Sequence, residues 1–150
     1  PKAEQLDVDG LAIYGGRLYA AAYSGSVLAV DARTGDVVWK ASVPGASRVT
    51  VAGGLVIAVT ATSIQALSVA DGSAVWTVPL QGAPSGDPVA LGKWVLVPTG
   101  EQGLRWVEVA TGRTLRVFNP GSGVSASPAV VGRRVYVLSN RGDLYALDLS

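Results

Sequence analysis

Carboxylates and amides are the side chains of this sequence that could hold a metal ion, because histidine, cysteine and methionine are absent from its 150 residues. Without histidine, imidazole acid–base catalysis and Ser-His-Asp triads are excluded, and zinc and haem lose their usual ligands. Calcium would need several convergent oxygen ligands. The acidic residues are instead scattered over predicted turns, and neither Asn119 nor Asn140 lies beside an acid pair. From this pattern we expect neither a catalytic residue nor a metal site in this chain.

The overall composition narrows the possible binding partners. A net charge of +1 gives no global field that would attract nucleic acid or an anionic membrane surface. No apolar run reaches the 18 residues that a membrane span needs. The sequence starts at Pro1 without a methionine, so we expect a cropped or processed chain.

Glycines that repeat at intervals of about 40 residues are the strongest pattern in the sequence. One series precedes an apolar run and comprises Gly16, Gly54, Gly92 and Gly132. A second series follows a long predicted strand and comprises Gly35, Gly72 and Gly112. The two series keep one period, which predicts a single domain of four repeats, approximately 8–48, 49–86, 87–126 and 127–150, the last one incomplete.

Each repeat has the pattern of four short strands. In the first repeat we expect them at Leu11–Tyr14, Leu18–Tyr23, Val27–Asp31 and Val37–Ser42, separated by Gly-, Ser- and Asp-rich turns. The runs "LYAAAY" and "LVIAVT" are continuously apolar, which indicates sheets that are buried on both faces. Repeated four-stranded antiparallel units with neighbours on both sides predict an all-β fold, a β-propeller, with about four blades in this chain.

A tryptophan motif occurs in successive repeats, first as "AVDARTGDVVW" over residues 29–39. It resembles the repeat of quinoprotein-type propellers, some of which hold a quinone cofactor. The motif occurs once per blade while a cofactor is bound once, so we assign it a structural role in docking between blades and expect no cofactor. The docking residues are Trp39, Trp76, Gly35, Gly72 and Gly112, with each indole N–H bonded to a backbone carbonyl. The third repeat has Arg116 at the tryptophan position.

The segment "LDVDGLAIYGGRLYAAAYSGSVLAVDARTGDVVWK" is similar to a blade of the BamB family, the lipoprotein subunits of the outer-membrane β-barrel assembly machine. "LRWVEVATGR" and the final "SASPAVVGRRVYVLSNRGDLYALDLS" agree with the same family. The resemblance covers essentially the whole chain and implies the C-terminal half of an eight-bladed propeller.

This resemblance implies a non-enzymatic periplasmic protein, held at the outer membrane by an N-terminal lipid that lies outside this chain. The implied partner is a POTRA domain of BamA, the barrel-inserting subunit, with unfolded outer-membrane proteins as further clients. The family's BamA contact falls on Asp7 and Asp9. From the residues alone, two carboxylates in a loop before a strand could bind Arg or Lys of a partner, or one of them could cap the first strand.

Two other functional classes stay open at this stage. One is a propeller module of a quinone-dependent dehydrogenase, and the other is a sensor or binding propeller of a larger signalling protein. Half a propeller would also leave two apolar blade faces open. We therefore expect either a fragment of a longer chain or two copies that pair into an eight-bladed ring.

Overall fold

The computed structural model describes residues 8–22, 24–121, 123–124 and 127–148, without the side chains of residues 8 and 9. These residues form strands β1 (Val8–Tyr14), β2 (Arg17–Ala22), β3 (Ser26–Asp31), β4 (Val37–Ser42), β5 (Arg48–Ala52), β6 (Leu55–Val59), β7 (Ser63–Ser68), β8 (Ala74–Pro79), β9 (Val89–Leu91), β10 (Trp94–Thr99), β11 (Gly103–Glu108), β12 (Thr114–Phe118), β13 (Ala129–Val131), β14 (Arg134–Leu138) and β15 (Leu144–Asp148). Among the described residues, no helix has the length and apolarity that crossing a membrane would require.

The strands form four antiparallel sheets in chain order, which we call blades 1 to 4. Their strand orders are β1-β2-β3-β4, β5-β6-β7-β8, β9-β10-β11-β12 and β13-β14-β15. The predicted fold class is therefore confirmed. In blade 1 the last two predicted strands agree with the structure within one residue. The first begins three residues earlier than predicted, at Val8.

The turn between the first two strands of each blade corrects the repeat alignment by one residue. Its first residue is Gly15, Gly53, Gly92 or Gly132, with φ of 58°, 56°, 56° and 60°. The predicted series had used Gly16 and Gly54, which are the second residues of Gly-Gly pairs. Both glycines of each pair have positive φ, so either one satisfies the glycine requirement of the turn and spacing alone does not separate them.

Apolar side chains fill the space between successive blades. Tyr19 of blade 1 packs with Val56 of blade 2, in a cluster that separates these two sheets. Ile57, on the opposite face of blade 2, packs with Val95 of blade 3, and Leu96 on the other face of blade 3 packs with blade 4. Neighbouring residues of one strand are thus buried on opposite faces, which explains why these strands are continuously apolar.

The first strands of blades 1 to 3 lie innermost, since β1 contacts β5 and β5 contacts β9. The blades therefore have two rims. The connection rim is where the first strands begin and where the chain passes between blades, at residues 43–47, 80–88 and 119–128. The turn rim, on the opposite side, carries the turns after the first and third strands.

Candidate functional site

Asp9 lies on the connection rim, inside strand β1. Val8 pairs with Ala22 and Gly10 pairs with Ala21, so Asp9 is the extra residue of a β-bulge. We had expected Asp9 in a loop before the strand, and this placement was wrong because β1 extends back to Val8. Bulges bend a strand and change the direction of its side chains, and they are frequent beside functional sites. Asp7 lies outside the described residues.

Gly10 brings the start of β1 into direct contact with the backbone of blade 2. A Cβ atom on Gly10 would lie 2.9 Å from the Cα atom of Arg48 and 2.9 Å from the carbonyl oxygen of Ser47. Any side chain here would force the two blades apart. The glycine therefore fixes the position of Asp9 beside the start of β5.

The positions equivalent to Gly10 in the other three blades carry polar residues on the same rim. We call Arg48, Asp87 and Ser127 the polar line. Gly10, Arg48, Asp87 and Ser127 each lie four residues before the last residue of a first strand. Arg48 Nη1 donates to Asp87 Oδ1 at 2.9 Å, which links blades 2 and 3. The Asp87 amide donates to Ser127 Oγ at 2.8 Å, which links blades 3 and 4.

These three polar residues were not predicted as a group from the sequence, although one signal points to them. Aligning the four repeats at the ends of their first strands places Arg48, Asp87 and Ser127 in one column. The Asp87 side chain is mostly exposed and that of Arg48 about one-third exposed, so the ion pair adds little stability. Its charges are available on the same rim as Asp9.

The indoles of Trp39 and Trp76 lie between blades. Trp39 Nε1 donates to the Val69 carbonyl oxygen of blade 2 at 2.9 Å. Arg17 Nη1 donates to the same oxygen at 2.9 Å. Trp76 Nε1 repeats the arrangement one blade further, donating to the Val109 carbonyl oxygen at 2.8 Å. Both indole N–H groups are thereby satisfied by the backbone of the next blade.

Each of these indoles packs on a turn glycine of the following blade. A Cβ atom on Gly72 would lie 2.5 Å from Trp39 Cε3, and one on Gly112 would lie 2.6 Å from Trp76 Cε3. Gly35, at the same position of blade 1, has no atom within 4 Å of its hypothetical Cβ. The residues predicted for docking are thus placed in two tryptophan–glycine contacts and one open position.

In blade 3 the tryptophan lies on the third strand, one strand further inward than in blades 1 and 2. Ala29 pairs with Trp39 and Ala66 with Trp76, whereas Trp106 occupies the alanine position and pairs with Arg116. The Arg116 guanidinium lies 4.6 Å from the centroid of the Trp106 ring, a cation–π contact. The large side chain is kept at this junction, but on the third strand instead of the fourth.

Two turn aspartates on the turn rim have perturbed pKa values. The backbone N–H of Arg33 donates to Asp31 and lowers the pKa of that carboxyl. The backbone N–H and hydroxyl of Ser73 both donate to Asp71 and lower its pKa in the same way. Hydrogen bonds that favour the charged form are expected in turns, and they indicate a structural role here.

No arrangement suited to a metal ion occurs among the described residues, because they contain no group of three or more Asp, Glu, His or Cys side chains that could hold one. On the connection rim the side chains of Arg48 and Asp87 form an ion pair, and the Ser127 hydroxyl accepts from the backbone N–H of Asp87. Their chemistry suits recognition of a charged partner surface.

Comparison with known proteins gives one family over residues 7–150. The family model described as outer membrane protein assembly factor BamB matches residues 7–117 and 61–150. The protein named outer membrane protein assembly factor BamB of Moranella endobia (strain PCIT) is 30% identical over 162 aligned positions. That match covers 93% of this chain and 41% of the relative, so the chain spans less than half of the relative's length.

Solved structures agree in fold. The crystal structure of BamB from Moraxella catarrhalis matches 95% of this chain with a TM-score of 0.82 at 24% identity, and half of that chain is covered. The computationally designed Ika4 protein matches 99% of this chain with a TM-score of 0.83 at 15% identity, over 95% of its own length. The designed Ika8 protein matches 95% of this chain with a TM-score of 0.80 at 14% identity, over 46% of its length.

Proposed function

Because the chain belongs to the BamB family of outer-membrane protein assembly factors, we propose that it acts in the periplasm as a non-enzymatic interaction propeller of the β-barrel assembly machine. Its partner in this proposal is a POTRA domain of BamA, with unfolded outer-membrane proteins as further clients. The proposal uses no cofactor, no metal ion and no catalytic group of this chain.

The placement of Asp9 is the observation that supports this proposal most directly. Asp9 is the extra residue of a bulge at the connection rim, and Gly10 holds it against the start of blade 2. Because the backbone is fixed at this point of the rim, a carboxylate carried there can accept charge-assisted hydrogen bonds from Arg or Lys of a partner. Arg48 and Asp87 on the same rim offer further charges to that partner.

Calorimetric titration of this chain with the purified POTRA region of a cognate BamA tests the proposal. We expect the double variant Asp7→Ala with Asp9→Ala to weaken binding by at least about tenfold, since each lost charged hydrogen bond costs about 1.5–3 kcal/mol. A matched control, Asp36→Ala with Asp148→Ala, removes two exposed carboxylates from the opposite rim and should bind like the unchanged chain.

The outcomes separate the parts of the proposal. Equal weakening by both double variants would show that net charge, and not the Asp7–Asp9 segment, carries the interaction. Absence of binding by the unchanged chain, with its fold verified by circular dichroism, would contradict a POTRA contact within these residues.

A further inference from the structure

An arginine lies in the apolar junction between blades 2 and 3. Arg105 of β11 pairs with Val97, and Val97 belongs to the cluster that joins these two blades. Because cross-strand partners lie on the same face of a sheet, Arg105 faces blade 2. The same position, the third residue of the third strand, carries Leu28 in blade 1 and Gln65 in blade 2. Of these three blades, only blade 3 places a charge there.

The guanidinium of Arg105 lacks an acceptor where it is buried. Nη1 donates to Thr114 Oγ1 at 3.1 Å. Nε is buried and has no acceptor among the described residues, and no carboxylate of these residues forms an ion pair with Arg105. An arginine that only covers apolar surface extends its head group into water. A buried donor without an acceptor instead lowers stability, a cost that is expected where a side chain serves recognition.

Apolar side chains surround Arg105 on the outer side of this junction. Trp76 and Val78 of β8 pack into it from blade 2. Val117 of β12 pairs with Arg105 and is 43% exposed. Trp76 is partly exposed, whereas Trp39, its counterpart in the preceding junction, is buried. We call Trp76, Val78, Arg105 and Val117 the outer seam, which is more open to solvent than the junction before it.

The charge around the outer seam is positive. Strands β11 and β12 with their turn, residues 103–118, contain three arginines, at positions 105, 113 and 116, and one acidic residue, Glu108. The Glu108 carboxylate accepts from the Thr111 hydroxyl of the turn at 2.7 Å and forms no ion pair among the described residues. A partner of complementary charge is therefore acidic.

We propose that the outer seam binds a segment of a partner protein in which an Asp or Glu lies between apolar residues. The carboxylate accepts two parallel hydrogen bonds from the guanidinium of Arg105, which turns toward it so that Nε gains an acceptor. The apolar neighbours of the carboxylate pack on Trp76 and Val117. The seam lies on the outer circumference between the two rims, so this proposal is independent of the one for the connection rim.

NMR titration with the peptide acetyl-Val-Tyr-Glu-Val-Tyr-amide tests the site. We expect the Nε–H signal of Arg105 and the indole N–H signal of Trp76 to shift together as peptide is added. The indole N–H signal of Trp39 should stay in place, because the preceding junction has Gln65 where the outer seam has its arginine. The same peptide with Gln in place of Glu should need at least about tenfold more to reach half of the shift.

Two arginine variants separate the guanidinium from net charge. Arg105→Met keeps an unbranched side chain and should raise the dissociation constant measured at Trp76 at least about tenfold. Its free energy of unfolding in urea should not fall, since the variant removes an unsatisfied buried donor. Arg116→Met is the matched control, because this exposed guanidinium lies over the Trp106 ring. It should bind the peptide like the unchanged chain.

Four results would overturn the proposal. Equal binding of the Glu and Gln peptides would show that the carboxylate is not recognised. Equal weakening by Arg105→Met and Arg116→Met would assign the effect to net charge. Absence of a Trp76 shift at millimolar peptide would contradict the site. A loss of stability in Arg105→Met with unchanged peptide binding would give Arg105 a structural role.

Discussion

At the scale of single residues, the contact between an indole and a turn glycine determines how closely two blades approach. Gly72 and Gly35 occupy the same turn position with the same φ of 76°. They differ in one respect, because Trp39 lies on Gly72 while Gly35 has nothing within 4 Å of its hypothetical Cβ. Substituting each glycine in turn therefore separates the cost of backbone strain, which both positions share, from the cost of packing against the indole, which only Gly72 has.

We expect Gly72→Ala to destabilise the chain more than Gly35→Ala. Both changes place a Cβ at a positive φ and share that strain. Gly72→Ala also forces the Trp39 ring to move, which typically costs a further 1–3 kcal/mol, roughly the cost of overpacking a core. Urea unfolding of the two variants measures this difference directly. Equal free energies of unfolding would contradict a role for Gly72 in receiving the indole.

At the scale of the elements, the turns after the third strands are stabilised by aspartate in a way that depends on pH. Hydrogen bonds from Ser73 hold the pKa of Asp71 below its ordinary value of 3.8. A carboxyl whose pKa is lower in the folded state stabilises it above the unfolded pKa, and that stabilisation is lost as pH falls through the folded pKa.

We therefore expect Asp71→Asn to flatten the acid limb of the stability curve. The amide oxygen can still accept from Ser73, but it carries no charge to be neutralised. The free energy of unfolding should be lower than that of the unchanged chain above about pH 5, and the two should converge as pH falls below about 4. Asp36→Asn, which changes an exposed aspartate in the corresponding turn of blade 1, is the control. A parallel loss of stability in both variants would contradict this assignment.

The strands were predictable from the sequence because burial on both faces leaves an unbroken apolar run, as in β2 and β6. The bulge at Asp9 was not, since it depends on the pairing of β1 with β2 and not on local composition. The sequence also did not predict that blade 3 carries its junction tryptophan on the third strand, at Trp106, with Arg116 at the usual tryptophan position of the fourth strand. Either strand can supply the large side chain to one junction, and a motif search looks for it on one strand only.

The polar line of Arg48, Asp87 and Ser127 shows the same limitation at the candidate site. No two of these residues are close in sequence, and their contacts run from one blade to the next. Repeat spacing predicts which positions are equivalent. It does not predict that neighbouring equivalents bear complementary groups, which requires comparing the repeats column by column.

At the scale of the whole molecule, each blade contacts only its neighbours, so stability is close to a sum of blade and junction terms. Blades 2 and 3 have a junction on both faces, whereas blades 1 and 4 each have one in the described structure. A blade with one junction opens at a lower free energy than a blade with two. The end blades of a single chain should therefore be the least protected.

Hydrogen exchange followed by mass spectrometry tests this arrangement. In dilute solution we expect β6 and β10, in the central blades, to exchange more slowly than β2 and β14 in the end blades. Equal exchange rates in all four blades would instead mean that the chain unfolds as one cooperative unit. The coupling free energy through the junctions would then exceed the difference in opening free energy between an end blade and a central blade.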